Sequence, residues 1–181
     1  MNALQEILLL LINTAFSIYA FLLLIRMLLG LVKANFHNPI SQFLVKVTDP
    51  VIKPLRRFIP SVGKIDTSAI IAVIGCKIVQ LTLVSMIGLA SLSGDFIPYV
   101  IGGTLRLAVW VFIIALIIQV IVSWIGNTTN SPVVPLAQDL TEPLLRPIRK
   151  HMPNLGVIDL SVMVAIILLN IALILIKHLF G

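Results

Sequence analysis

Four apolar runs, each near the length that crosses a bilayer, limit how this chain can fold. A backbone inside hydrocarbon must satisfy its own amide and carbonyl groups, and only a helix or a closed barrel does so. Ile7 to Ile25 carries no charge, and the apolar pattern extends from Leu4 to Val32 with Arg26 inside it. Ser68 to Leu92 is broken only by Lys77, Pro98 to Ile125 only by Arg106, and Leu160 to Ile176 is uncharged up to Lys177 and His178. These runs predict an all-α membrane protein with helical spans at about residues 4–32, 68–92, 98–125 and 158–177. A soluble alternative fails on composition: 59% hydrophobic and 11% charged residues leave too little polar surface to cover a core. A cleaved leader is not expected either, since the first run is too long and has neither a basic start nor a small-residue cleavage site.

The stretches between the first and second pairs of runs are copies of one another. Thr48 to Ser68 (TDPVIKPLRRFIPSVGKIDTS) aligns without a gap on Thr141 to Ser161 (TEPLLRPIRKHMPNLGVIDLS), at an offset of 93 residues. Thr48, Pro50, Pro54, Arg56, Pro60, Gly63, Ile65, Asp66 and Ser68 recur unchanged, and charge type is kept at Asp49/Glu142, Lys53/Arg146 and Arg57/Lys150. An identity pattern of this kind marks an internal duplication. The chain divides into repeats 1–93 and 94–181, each a span, a long connection and a second span. Because each repeat holds two spans, the halves should run parallel, related by an axis along the membrane normal.

Each connection opens with a helix start. Asn38-Pro39 and Ser131-Pro132 place a capping residue before a proline at the first helical position. Ile40, Phe43, Leu44 and Val47 then share one face, and Val133, Leu136, Ala137 and Leu140 do so in the second copy. Such a helix either lies along the membrane surface or packs on its own protein. Pro50 and Pro54, with Pro143 and Pro147, each remove an amide donor and clash with the preceding turn, so the stretch that follows should be kinked or built of short helical turns. Along it Lys53, Arg56 and Arg57, and in the second copy Arg146, Arg149 and Lys150, form a basic strip. The strip can attract anionic headgroups or a partner protein, at about 1 kcal/mol per base for lipid, or serve only to set topology.

Pro60 and Gly63 return the chain to the membrane, where Asp66 and Asp159 precede the next spans and suit the free amides of a helix start. The turn should also bring Asp66 to Arg56 or Arg57, and Asp159 to Arg149 or Arg146. For a poorly solvated pair, stranding one partner would cost on the order of 3 kcal/mol. Inside the spans, polar residues fall at repeat-related positions: Asn13 with Arg106, Arg26 with Gln119, Lys77 with Asn170. Arg26, Lys77, Gln119 and Asn170 are therefore a candidate intramembrane polar cluster at one level, with an anion or a lipid phosphate as the ligand suited to Arg26 and Lys77. Snorkelling of the basic side chains to the interface is the competing reading.

Charge and motifs exclude other classes. The net charge of +6 lies mostly in the connections, which carry Lys33, Lys46, Lys53, Arg56, Arg57 and Lys64 in one copy and Arg146, Arg149 and Lys150 in the other. That distribution reads as membrane-orienting charge with no nucleic acid partner, and it places both connections in the cytoplasm and both termini outside. Cys76 is the only cysteine; His37, His151 and His178 are isolated; no phosphate loop or nucleophile motif occurs. No enzyme, metal or cofactor is expected.

With its T-[DE]-P-x-x-[KR]-P-[LI]-R-[RK] start and P-x-x-G-x-I-D-x-S end, the connection resembles that of the YggT repeat family of bacterial inner-membrane proteins. The resemblance covers nearly the whole chain. Two departures stand out: Ala69 and Val162 occupy a position where the family often has proline, which should loosen the helix start, and the family's Arg and Ser-Trp pattern is split between Arg26 and Ser123-Trp124. The resemblance implies tolerance of osmotic stress in bacteria, or assembly and organising roles in plastid and cyanobacterial relatives. It points to a non-catalytic membrane scaffold that self-associates or binds another membrane protein, with an oligomeric channel or transporter subunit as the alternative.

Overall fold

The computed structural model describes residues 2–61, 65–87, 96–125, 131–151 and 159–180. Among them the regular elements are six helices: α1 (Ala3–Leu31), α2 (Pro39–Phe58), α3 (Thr67–Met86), α4 (Phe96–Ile125), α5 (Val133–Arg149) and α6 (Leu160–Phe180). Of these, α1, α3, α4 and α6 are long and apolar enough to cross a membrane. Their apolar residues run all the way round, as expected where both core and lipid are hydrocarbon. Lipid-facing positions such as Ile18, Trp110, Ile117 and Ile171 are exposed accordingly. The boundary at 93/94 and the Gly63 and Gly156 turns lie outside the described residues.

Within each half the two spans pair antiparallel. In the first, Gln80 of α3 donates to Asn13 of α1 at 2.8 Å, and the Cys76 thiol lies 3.6 Å from the Phe16 carbonyl. In the second, α4 meets α6 so closely that a Cβ at Gly102 would collide with the Cβ of Phe180. The first span of each half is the longer: α1 has 29 residues and α4 has 30, against 20 for α3 and 21 for α6. At 1.5 Å per residue, α1 and α4 are roughly 44 and 45 Å long and overshoot a hydrocarbon core of about 30 Å.

The end of α1 is capped by backbone alone. Ala34 N–H reaches the Leu29 carbonyl at 2.9 Å and Lys33 N–H the Gly30 carbonyl at 3.2 Å, the paired bonds of a Schellman motif. Lys33 takes the left-handed position with φ 57° that glycine ordinarily fills.

Both connecting helices run without interruption through their prolines, α2 past Pro50 and Pro54 and α5 past Pro143 and Pro147. Of the two expectations for this stretch, the short helical turns are corrected to one continuous helix in each half. The lost amide bonds are tolerated because Lys46 and Pro50, whose carbonyls lose partners, are on the exposed side. The apolar faces turn inward. Leu44 and Ile52 of α2, and Leu136, Ala137, Leu140 and Leu145 of α5, are buried. These helices thus pack on their own spans, the second of the two arrangements the pattern allowed, with Phe43 and Phe58 left exposed.

The halves join along α1, α4 and the starts of α2 and α5. One core cluster takes in Leu23, Leu24 and Leu29 of α1, Ala72 and Val73 of α3, Val111 and Ala115 of α4, and Leu136 and Leu140 of α5. A smaller one, Leu116, Leu145, Val162 and Ala165, belongs to the second half. At the connection end, Asn38 accepts from Ile40 N–H at 2.9 Å as the cap of α2, while its amide donates to the Pro132 carbonyl at 2.5 Å. That contact brings the starts of the two connecting helices together at one end of the bundle.

Candidate functional site

The duplicated connection builds a duplicated cleft. In the first half a space of about 410 Å³ is lined by Arg26 and Gly30 of α1, Val45 and Arg56 of α2, and Asp66 before α3. In the second a space of about 370 Å³ is lined by Gln119 and Ser123 of α4, Gln138 of α5, and Asp159 before α6. Arg26/Gln119, Gly30/Ser123, Val45/Gln138 and Asp66/Asp159 are repeat-related pairs, so the two clefts are one construction in two versions.

Their chemistry differs at the floor. Arg26, buried in α1, donates through Nη1 to the Thr48 hydroxyl at 2.6 Å and to the Val45 carbonyl at 3.3 Å. Its Nη2 lies 2.7 Å from Asp49 Oδ1, whose other oxygen is 2.8 Å from Lys53 Nζ. Oδ1 has no aligned hydrogen-bond donor among the described residues, so the Arg26 contact acts as charge on charge. The hydrogen bond from Lys53 holds Asp49 below the usual carboxylate range, outweighing the burial that pushes it up, and Arg26 adds to the lowering. In the second copy Gln119 replaces the arginine. Its amide donates to the Thr141 hydroxyl and, at 3.1 Å, to the Ala137 carbonyl. Glu142, the counterpart of Asp49, is then released from the span and pairs with Arg149 at 3.0 Å. An arginine with a carboxylate in one half thus corresponds to a glutamine without one in the other, and no charge is left unmatched at either floor.

The rim carries the expected ion pairs. Arg56 contacts Asp66, and Arg149 lies 2.8 Å from Asp159. Asp66 also caps α3 through Ala69 N–H at 3.3 Å, and Asp159 accepts from Ser161 N–H at 3.0 Å. Burial pushes the Asp159 carboxyl up, but the Ser161 hydroxyl, Arg149 and the Ser161 amide together bring it below its ordinary value. Ser68 and Thr67 donate to the Ile59 and Pro60 carbonyls, both at 2.7 Å, tying the end of α2 to the start of α3. The α3 start is regular with Ala69 fully buried, so the absence of proline there does not loosen it. The pairs are wetter than the sequence suggested: Arg149 and Asp159 are 42% and 44% exposed. The rim pair of the second half is accordingly worth about 0.5 kcal/mol and not 3.

Of the six basic residues of the two strips, Lys53, Arg56 and Arg149 are engaged in these pairs, while Arg57, Arg146 and Lys150 are exposed with no ion pair among the described residues. Arg26, Lys77, Gln119 and Asn170 do not converge. Arg26 and Gln119 hold their own connecting helices, Lys77 bonds Gln80 at 3.0 Å, and Asn170 is exposed on α6, donating back to the Ile166 carbonyl. The residues that sequence reasoning passed over are Thr48 and Thr141, which receive the buried polar group of the first span, and Asp49. Their signal was present in the repeated T-[DE]-P, but its partner stands 22 residues earlier on another helix.

Taken together, the helices define a polytopic membrane protein of two tandem two-span repeats, each clamping an amphipathic connecting helix at the same end. The family model CCB3/YggT matches twice, over residues 5–87 and 98–180, and the chain belongs to that family. It is 41% identical over 165 residues to an "Uncharacterized protein in proC 3'region" of Vibrio alginolyticus, covering 90% of this chain and 89% of that one. It is 36% identical over 166 residues to "Uncharacterized protein YggT" of Escherichia coli K12, with 89% and 84% covered. A protein of Haemophilus influenzae is 36% identical over 158 residues, with 87% and 84% covered. No solved structure matches.

Proposed function

We propose that the protein is a non-catalytic scaffold of the bacterial inner membrane, with the connection face in the cytoplasm, engaging anionic headgroups or a membrane partner in support of osmotic tolerance. One observation carries this reading. The connecting helices turn their apolar faces to their own spans, leaving Arg57, Arg146 and Lys150 exposed on two helices whose starts meet at one end of the bundle. Attraction to anionic headgroups is worth about 1 kcal/mol per base, so the strip suits persistent contact more than tight binding. The excess of bases at this end favours the cytoplasmic side.

Photo-crosslinkers at Arg57 and Lys150 in native membranes test the role. A defined protein adduct or an anionic-lipid adduct is expected, and the same products as from the lipid-facing Trp110 would count against it. Cysteines placed at Lys53 and Arg146 in a Cys76→Ala background should react with an impermeant reagent only after the inner membrane is opened. Reaction in intact spheroplasts would reverse the orientation.

The alternative of an oligomeric channel or transporter subunit draws on the exposed Asn170 in the middle of α6, a polar group that a second copy could cover. Reconstituted protein that passes no ions or osmolytes would eliminate it.

A further inference from the structure

Two basic residues are buried among the described residues, and they are provided for differently. Arg26 has Asp49 beside it. Lys77 is just as buried, at 7% exposure, and has no carboxylate partner among the described residues. It stands at the middle of α3, about 15 Å from the helix start by the rise per residue. Its ammonium donates to Gln80 Oε1 at 3.0 Å, and the Gln80 amide donates in turn to Asn13 Oδ1 on α1 at 2.8 Å. An ammonium has three donors, so this chain of bonds orients Lys77 and leaves two. On the facing side α4 approaches at Gly103, where a Cβ would sit 3.9 Å from Lys77 Cε. Arg106 stands three residues beyond Gly103 on α4, and so on the same helix face, which puts a second positive charge on the side of α4 that meets Lys77. No Asp or Glu occurs in α3, α4 or α6, and the one acid of α1, Glu6, is exposed near its start. The group that meets Lys77 is neutral where an acid would have completed an internal pair.

We infer that Lys77 and Arg106, at the junction of α1, α3 and α4, hold a small inorganic monovalent anion such as chloride. Buried charge in hydrocarbon is paired, hydrated or neutralised, and like charges brought together raise the demand for a counter-ion. Gln80 and Asn13 position the ammonium without cancelling it, so the net positive charge is available to a ligand. A lipid phosphate would have to leave the headgroup level to reach this depth, whereas a free halide does not carry that tether. The site occurs once, because the repeat counterparts of Lys77 and Gln80 are Asn170 and Leu173.

The test uses the purified full-length protein in detergent, with chloride or bromide replaced by gluconate at constant ionic strength. Chloride and bromide should raise Tm saturably by a few degrees over gluconate, as a ligand of the folded state does. Lys77→Met and Arg106→Asn should each abolish that dependence, and Arg57→Gln should keep it. In gluconate, Lys77→Met should also melt higher than the parent, because an unpaired charge is gone; a purely packing role for the lysine gives a lower Tm. A parent protein indifferent to the anion overturns the inference, as does a dependence that survives in the Lys77→Met/Arg106→Asn double variant. If one single variant does not accumulate, the parent series and the other single variant still decide.

Discussion

At residue scale, Asp49 links three positions. Arg26→Gln would reproduce the second copy's side chain but leave Asp49 with only Lys53, and a loss of about 2 kcal/mol is expected by denaturant titration. Adding Asp49→Asn should recover most of it, so the double-mutant cycle should show strong coupling. The acid limb follows from the same carboxylate. Its folded pKa is depressed, so its stabilisation is present above the unfolded carboxylate value and is lost as pH falls through the folded value. Asp159 contributes with the same sign. The Asp49→Asn and Asp159→Asn variants should each show a shallower loss of stability between neutral and acid pH than the parent. Lys33 offers a gain: Lys33→Gly should stabilise by roughly 1 kcal/mol, since the left-handed position then carries no side-chain penalty. Gly126 already occupies the matching place in the second repeat's sequence.

At the scale of elements, the tightest joint is α4 on α6. Gly102→Ala should destabilise by about 2 kcal/mol, measured as lowered thermal stability in detergent, because its Cβ meets Phe180 Cβ and neither can rotate away. Phe180→Gly in the same chain removes the clash, so the combination should lose less than the sum of the two changes. The elements themselves were legible in the sequence: long apolar runs marked the spans, and Asn38-Pro39 marked where α2 begins. The pairing of Asp66 with Arg56 was legible too, because ten residues and a Pro/Gly turn bring them together locally. The route of α2 and α5 through their prolines was not. Burial of Leu44, Ile52 and Leu145 against the spans outweighs the two lost amide bonds, and that tertiary gain leaves no local mark.

For the whole molecule, duplication was a good guide to architecture and a poor guide to contact. Aligning the copies suggested that Arg26, Lys77, Gln119 and Asn170 share a site, yet the structure distributes them over three environments. Equivalent positions in parallel repeats sit at equal depth, but they touch only where they line the junction between halves, as Asn38 nearly does with its counterpart through Pro132. The Asn13, Lys77 and Gln80 chain was hidden for the converse reason: it joins non-equivalent positions within one half.

The exchange of Arg26 with Asp49 for Gln119 with Thr141 also governs how the two copies can be recombined. A chimera that cuts between positions 26 and 49, and imports the second copy's span alone, sets a glutamine against Asp49. The reciprocal cut brings an arginine to Thr141, where Glu142 is already committed to Arg149. Residues 26 to 49 and 119 to 142 therefore travel as blocks, and exchanges between the halves should be designed with their junctions outside them.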